Sequence, residues 1–152
     1  MGVLRAEKAK IYKEAISNFG MANEAVLLVQ KSIPISMTVA DGTGIEKGTV
    51  LKLSDPNTAA AATALNDTPG GFAYTEKIAS DGITKLAVIR GPGDRMKVKI
   101  SGAVTAGDAL AHSGTANFFI SVAANISGSK IYGTALETGA DNESIEMEVN
   151  IR

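Results

Sequence analysis

The sequence predicts a mainly β fold: a small barrel-like domain preceded by an N-terminal arm or short helix. Three observations carry this. Ile145, Met147, Val149 and Ile151 alternate with Glu146, Glu148, Asn150 and Arg152 in strict period two, the signature of a strand with one buried face. Turn-forming runs recur at short intervals from Asp41-Gly-Thr-Gly44 through Asp67-Thr-Pro-Gly-Gly71, Asp81-Gly82 and Ser113-Gly114 to Gly139-Ala-Asp-Asn142, as in chains of many short strands. The unit Ile45-Glu-Lys-Gly48-Thr-Val-Leu51 also returns 59 residues later as Val104-Thr-Ala-Gly107-Asp-Ala-Leu110.

In chain order, Leu4, Ile11, Tyr12, Ala15, Ile16 and Phe19 fall near one side of a helical projection, with Lys8, Lys10, Lys13 and Glu14 mostly elsewhere. Residues 1–20 therefore read as an amphipathic arm, and residues 21–152 as the β-rich domain. Asn18 and Gly20 supply a stop. Within Glu24 to Met37, Pro34 argues against a helix interior and for an edge or irregular strand. The run Thr58 to Leu65 is a short helix or a loop, because its alanines favour helix but bury little area. Lys85 to Ile89 and Met96 to Ile100 read as a hairpin about Gly91-Pro-Gly93-Asp94, in which proline presets φ and the glycines tolerate positive φ. The echo continues weakly, with Thr75 matching Thr134 at the same offset. It is either an internal pseudo-repeat or a pair of ordinary hairpin starts.

A chain of 152 residues can bury a real core without staples, and it has no cysteine for disulfides or thiol chemistry. Fifteen Lys and Arg against sixteen Asp and Glu leave no broad electrostatic footprint for nucleic acid, so no direct nucleic-acid partner is expected. The start lacks the apolar core of a secretory signal, and no apolar run approaches the ~20 residues of a bilayer span. No membrane partner is expected, and synthesis in the cytoplasm is. With no Trp, three Tyr and four Phe, the core must be built mainly of Val, Ile, Leu and Ala.

Catalytic chemistry is thin. A hydrolytic triad would need His112, the only histidine, beside an activated Ser113 or Ser121 and an orienting carboxylate, and no Gly-x-Ser-x-Gly elbow is present. One His without Cys makes no zinc set, and Asp41, Asp55, Asp67, Asp81, Asp94 and Asp141 are scattered through turns, where Asp normally bonds its own backbone. Gly42-Thr-Gly44 and Gly91-Pro-Gly93 lack the strand and helix of a phosphate loop. No enzyme, metal or cofactor is expected. Lys97 and Lys99 share one strand face with Lys85, Arg90 and Arg95 nearby in sequence, either as a solvated, edge-protecting face or as a contact for an acidic protein surface.

The order of Gly42-Thr-Gly44, Lys47-Gly-Thr-Val-Leu-Lys-Leu53, Gly71-Phe-Ala-Tyr74, Ile100-Ser-Gly-Ala-Val-Thr-Ala-Gly-Asp-Ala-Leu110 and Lys130-Ile-Tyr-Gly-Thr-Ala-Leu-Glu137 resembles phage capsid decoration (cement) proteins of the lambda head-decoration type. The resemblance covers residues 36 to 152. It implies a β-tulip-like fold and a homotrimer bound to the major capsid protein at threefold or quasi-threefold positions outside the head, stabilising the expanded shell. The virion exterior is then its location. Leu4, Ile11, Tyr12, Ile16, Phe19, Lys97 and Lys99 are the expected capsid contacts. The alternative is another virion surface module, fibre-like or carbohydrate-binding, with Tyr12, Tyr74 or Tyr132 as an exposed platform.

Overall fold

The computed structural model describes residues 23–122 and 130–152, and every described element is a strand. The strands are β1 Val26–Val29, β2 Ile35–Thr38, β3 Val50–Asp55, β4 Thr58–Ala61, β5 Pro69–Ala73, β6 Lys85–Ile89, β7 Arg95–Ile100, β8 Ala109–His112, β9 Phe118–Ser121, β10 Gly133–Ala135 and β11 Ser144–Val149. The mainly β, barrel-like expectation holds, and the barrels number two. Strands β2-β4-β3-β5-β6 close the first. Strands β7, β11, β10, β8 and β9 close the second through the β7–β9 pairing, and β1 is added to β7.

The echo in the sequence is a duplication of topology. In each barrel the first strand pairs in parallel with the third (β2 with β4, β7 with β9) and antiparallel with the fifth (β2 with β6, β7 with β11). Ile45 and Val104 are both buried and make isolated bridges, to Lys77 and Gly139. Gly48 and Gly107 have φ of 87° and 96°, a left-handed turn that disfavours side chains, and their amides bond Ala73 O and Ala135 O. Ala73 is thus matched by Ala135, not by a residue 59 positions on. The pairing of Thr75 with Thr134 is corrected accordingly, because the connection to the fourth strand is longer in the second barrel.

Two other expectations are corrected. β6 and β7 form no hairpin: β6 is taken by β2 and β5, which close the first barrel, and β7 opens the second. Gly91 to Asp94 is instead the link between barrels, held where Val149 N–H donates to Asp94 O and Gly93 N–H to Val149 O. The alanine-rich run is neither helix nor loop at its start but strand β4, since pairing with β3 overrides helix propensity and the small Ala59 fits the barrel interior at 2% exposure.

Strand alternation builds two cores from shared strands. On β3 and β5, Leu51 and Ala73 join Met37, Ile45, Leu86 and Val88 inside the first barrel. Their neighbours Val50 and Phe72 face the other way and join Met96, Val98, Ile100, Leu110, Phe119, Tyr132 and Met147. Phe72, Phe119 and Tyr132 pack at centroid separations of 5.2 to 6.1 Å, tilted or edge to face. Tyr132 Oη donates to Leu51 O at 2.6 Å, Asn117 Oδ1 accepts from Val50 N–H at 3.0 Å, and Arg90 bonds the carbonyls of Pro69 and Gly70. The second barrel's core is therefore completed by side chains from strands of the first.

Candidate interaction surface

Of the expected capsid contacts, Leu4, Ile11, Tyr12, Ile16 and Phe19 lie outside the described residues. Lys97 and Lys99 stand on the outer face of β7, as the alternation Arg95-Met96-Lys97-Val98-Lys99-Ile100 requires, with Met96, Val98 and Ile100 turned into the core. The neighbouring strand β11 places Glu146 beside Lys97 and Glu148 beside Arg95. Arg95 Nη1 pairs with Glu146 Oε1 at 3.4 Å, and Lys99 Nζ donates to Asn142 O at 2.8 Å. The basic strand is thus partly compensated by the protein's own acidic one, an arrangement that strand order creates and local sequence does not reveal.

The larger exposed feature is apolar and lies in the stretch Glu24 to Met37, where the edge-strand expectation meets β1. β1 is the end strand of its sheet, and Val26, Leu28 and Val29 are 55%, 46% and 42% exposed, with Ile33 at 84% and Ile35 at 46% just beyond it. Apolar side chains on an open sheet edge are uncommon unless something covers them. β1 is fixed on one side by β7 and at its start by Ala25 N–H donating to Gly48 O at 2.9 Å. A Cβ on Gly48 would stand 2.1 Å from the carbonyl oxygen of Ala25, so glycine is required here by the close approach as well as by φ. The other side of β1 borders a cleft of about 470 Å³ whose walls include Glu24, Leu27, Lys47 and Tyr74.

The residues weighed for chemistry are dispersed. His112 is fully buried at the seam between barrels, with Nδ1 2.9 Å from Ala64 O and 3.1 Å from Gly114 N. Nδ1 donates to Ala64 O when protonated and accepts from Gly114 N–H when not, and in either tautomer Nε2 has no partner among the described residues. Ser113 Oγ is occupied in its own turn with Thr115. Ser121 Oγ donates to Asp108 Oδ2 at 2.8 Å on β9, away from the buried ring nitrogens. Tyr132 is buried and cannot serve a platform, while Tyr74 is half-buried with its hydroxyl 3.3 Å from Gln30 Oε1. Among the described residues, no group of three His, Asp or Glu is arranged to hold a metal ion.

Lys77 is buried with Nζ within 3.1 Å of Asp41 O, Asp41 Oδ1, Ile78 O and Asp81 Oδ1. Burial alone would depress its pKa, but the hydrogen bonds and charges of Asp81 and Asp41 outweigh it and the net shift is upward. This ammonium organises the β5–β6 loop and is absent from the second barrel, where Gly139 holds the equivalent bridge.

Burial lowers the His112 pKa, against the opposing influence of the Ala64 hydrogen bond and Asp67. The unfolded chain therefore binds the proton more readily. Stability is flat above the unfolded value near 6.5 and falls as pH drops below it, toward the folded value. His112→Gln is expected to remove this histidine's share of the slope in urea denaturation below about pH 6.5. An unchanged slope would show that the ring is hydrated in solution.

No family model matches the chain, and no curated protein is similar to it. Among solved structures, the head fiber gp8.5 N base of bacteriophage phi29 is similar, with a TM-score of 0.50, 13% identity, and coverage of 78% of this chain and 93% of that one. That span is more than either barrel alone supplies, so the likeness includes parts of both. At this identity it is a likeness of fold.

Proposed function

We propose that this chain is a structural protein of a phage virion: a homotrimer that binds the major capsid protein on the outside of the head at threefold or quasi-threefold positions and stabilises the expanded shell. The observation that carries this reading is the fold shared with 93% of the chain of a phage head fiber N base. The rest of the molecule is compatible with it. Two barrels joined through shared strands make a stiff body, and the exposed Ile33 and Ile35 offer apolar side chains for closed rotational assembly. Three copies linked in this way present each foothold three times, so weak contacts add through effective concentration.

Light scattering of the purified protein is expected to give about three times 15.6 kDa at micromolar concentration. The protein should also co-sediment with expanded, undecorated shells. A stable monomer that ignores such shells would overturn the proposal. Deleting residues 2–19 is expected to lower shell affinity about tenfold or more, since one of several linked footholds is lost. Lys97→Glu combined with Lys99→Glu is expected to weaken binding and flatten its salt dependence without unfolding the protein. Unchanged low-salt binding would return this face to solvent.

The fold of the phi29 protein favours one second reading, a fibre base rather than a cement. A cement raises the disruption temperature of the shell it coats, whereas a fibre base binds without doing so.

A further inference from the structure

We propose that the cleft beside β1 is a docking site for an arginine or lysine side chain carried on an extended segment of a partner protein. This goes beyond the virion reading and does not depend on it. The cleft, about 470 Å³, lies between the unpaired side of β1 and the first barrel. On it stands the half-buried Glu24, whose Oε1 is buried and has no hydrogen-bond partner among the described residues. A carboxylate oxygen withdrawn from water without a donor or cation is costly, and a charged partner restores what burial removes. Lys47 lines the same cleft but does not supply that partner. The ion pairs among the described residues are those of Lys77 with Asp41 and Asp81 and of Arg95 with Glu146. Burial, with the like charge of Glu46 added, pushes the Glu24 carboxyl upward against its own backbone amide, as expected for a carboxylate lacking a cation.

The remaining walls suit a basic side chain better than a small neutral one. Leu27 and the ring of Tyr74 give an apolar and aromatic channel for an aliphatic stem, and the ring face attracts a cation. A guanidinium can stack on that ring while its fork reaches a carboxylate, which places arginine ahead of lysine. Because β1 ends its sheet, an extended segment can run along its second edge, with its own apolar residues against the exposed Val26 and Leu28.

The full chain, labelled with 15N, should be titrated with the blocked peptide Ac-Val-Arg-Val-NH2, with its neutral citrulline counterpart and with Ac-Val-Glu-Val-NH2. Saturable shifts at Glu24, Leu27 and Tyr74 are expected with the arginine peptide, at least about tenfold weaker with citrulline and absent with glutamate. Glu24→Gln, which keeps shape and removes charge, should weaken the arginine peptide about tenfold with the melting temperature unchanged or raised. Tyr74→Leu gives an independent check by removing the ring and keeping an apolar wall, and should weaken it severalfold. Equal binding of arginine and citrulline peptides, insensitivity to Glu24→Gln and Tyr74→Leu, or no saturable shift at about 10 mM would each overturn the proposal.

Discussion

Replacing Phe72 with alanine is expected to remove about 3 to 5 kcal/mol of stability and to lower the melting temperature by about 10 °C or more. Phe72 is fully buried on a strand of the first barrel, yet its ring packs 6.0 Å from Phe119 and 6.1 Å from Tyr132, both of the second. Truncation opens a cavity where the first barrel's wall enters the second barrel's core, and a packed interior relaxes only partly into such a void. The contrast is Tyr132→Phe, which keeps the ring and removes the bond to Leu51 O, and is expected to cost only about 1 to 2 kcal/mol. Urea denaturation of both variants checks the ranking. If Phe72→Ala costs no more than Tyr132→Phe, Phe72 is not packed in the second barrel's core in solution.

Asp94→Ala is expected to cost about 2 to 4 kcal/mol, because it strips three donors of a charged acceptor at once. Asp94 is fully buried in the link between barrels. Its Oδ1 accepts from Lys31 N–H at 2.6 Å and Ser32 N–H at 2.8 Å, and its Oδ2 accepts from Ser32 Oγ–H. These donors belong to the connection from β1 to β2, so one carboxylate ties the start of the first barrel to the start of the second. Asp94→Asn preserves an acceptor for the amides and should fall between alanine and wild type. Limited proteolysis is expected to cut near Lys31 in Asp94→Ala first. A wild-type cleavage pattern with a melting temperature shifted by under about 2 °C would show that water replaces the carboxylate.

Asp94 also illustrates what sequence could not reveal. An aspartate in a Gly-Pro-Gly-Asp turn reads as bonding its own backbone, as Asp67 does with the amides of Thr63 and Ala64 and Asp108 with that of Thr105. Its partners are 62 and 63 residues away, and no local pattern encodes them. The cleft was illegible for the same reason: Glu24, Lys47 and Tyr74 are unremarkable polar residues until β1 is laid against the first barrel. Lys97 and Lys99 were legible as a pair on one face, since period two fixes that. Their acidic neighbours on β11 were not, since these depend on which strand lies alongside.

The sequence by itself determined the periodicities and the turns. The alternation in Met96–Ile100 and Ile145–Val149 dictated which side chains enter a core, and the repeated Gly48 and Gly107 dictated two matching left-handed turns. Those features are local, set by the pleat and by backbone sterics within a few residues. Tertiary structure alone decided the partners. It parted β6 from β7, drew Thr58–Ala61 into a strand, buried Tyr132 and His112 at a seam, and turned Phe72 out of one barrel into the core of the next. A strand's pattern says that one face must be covered; closing two barrels without open interior edges settles which neighbour covers it.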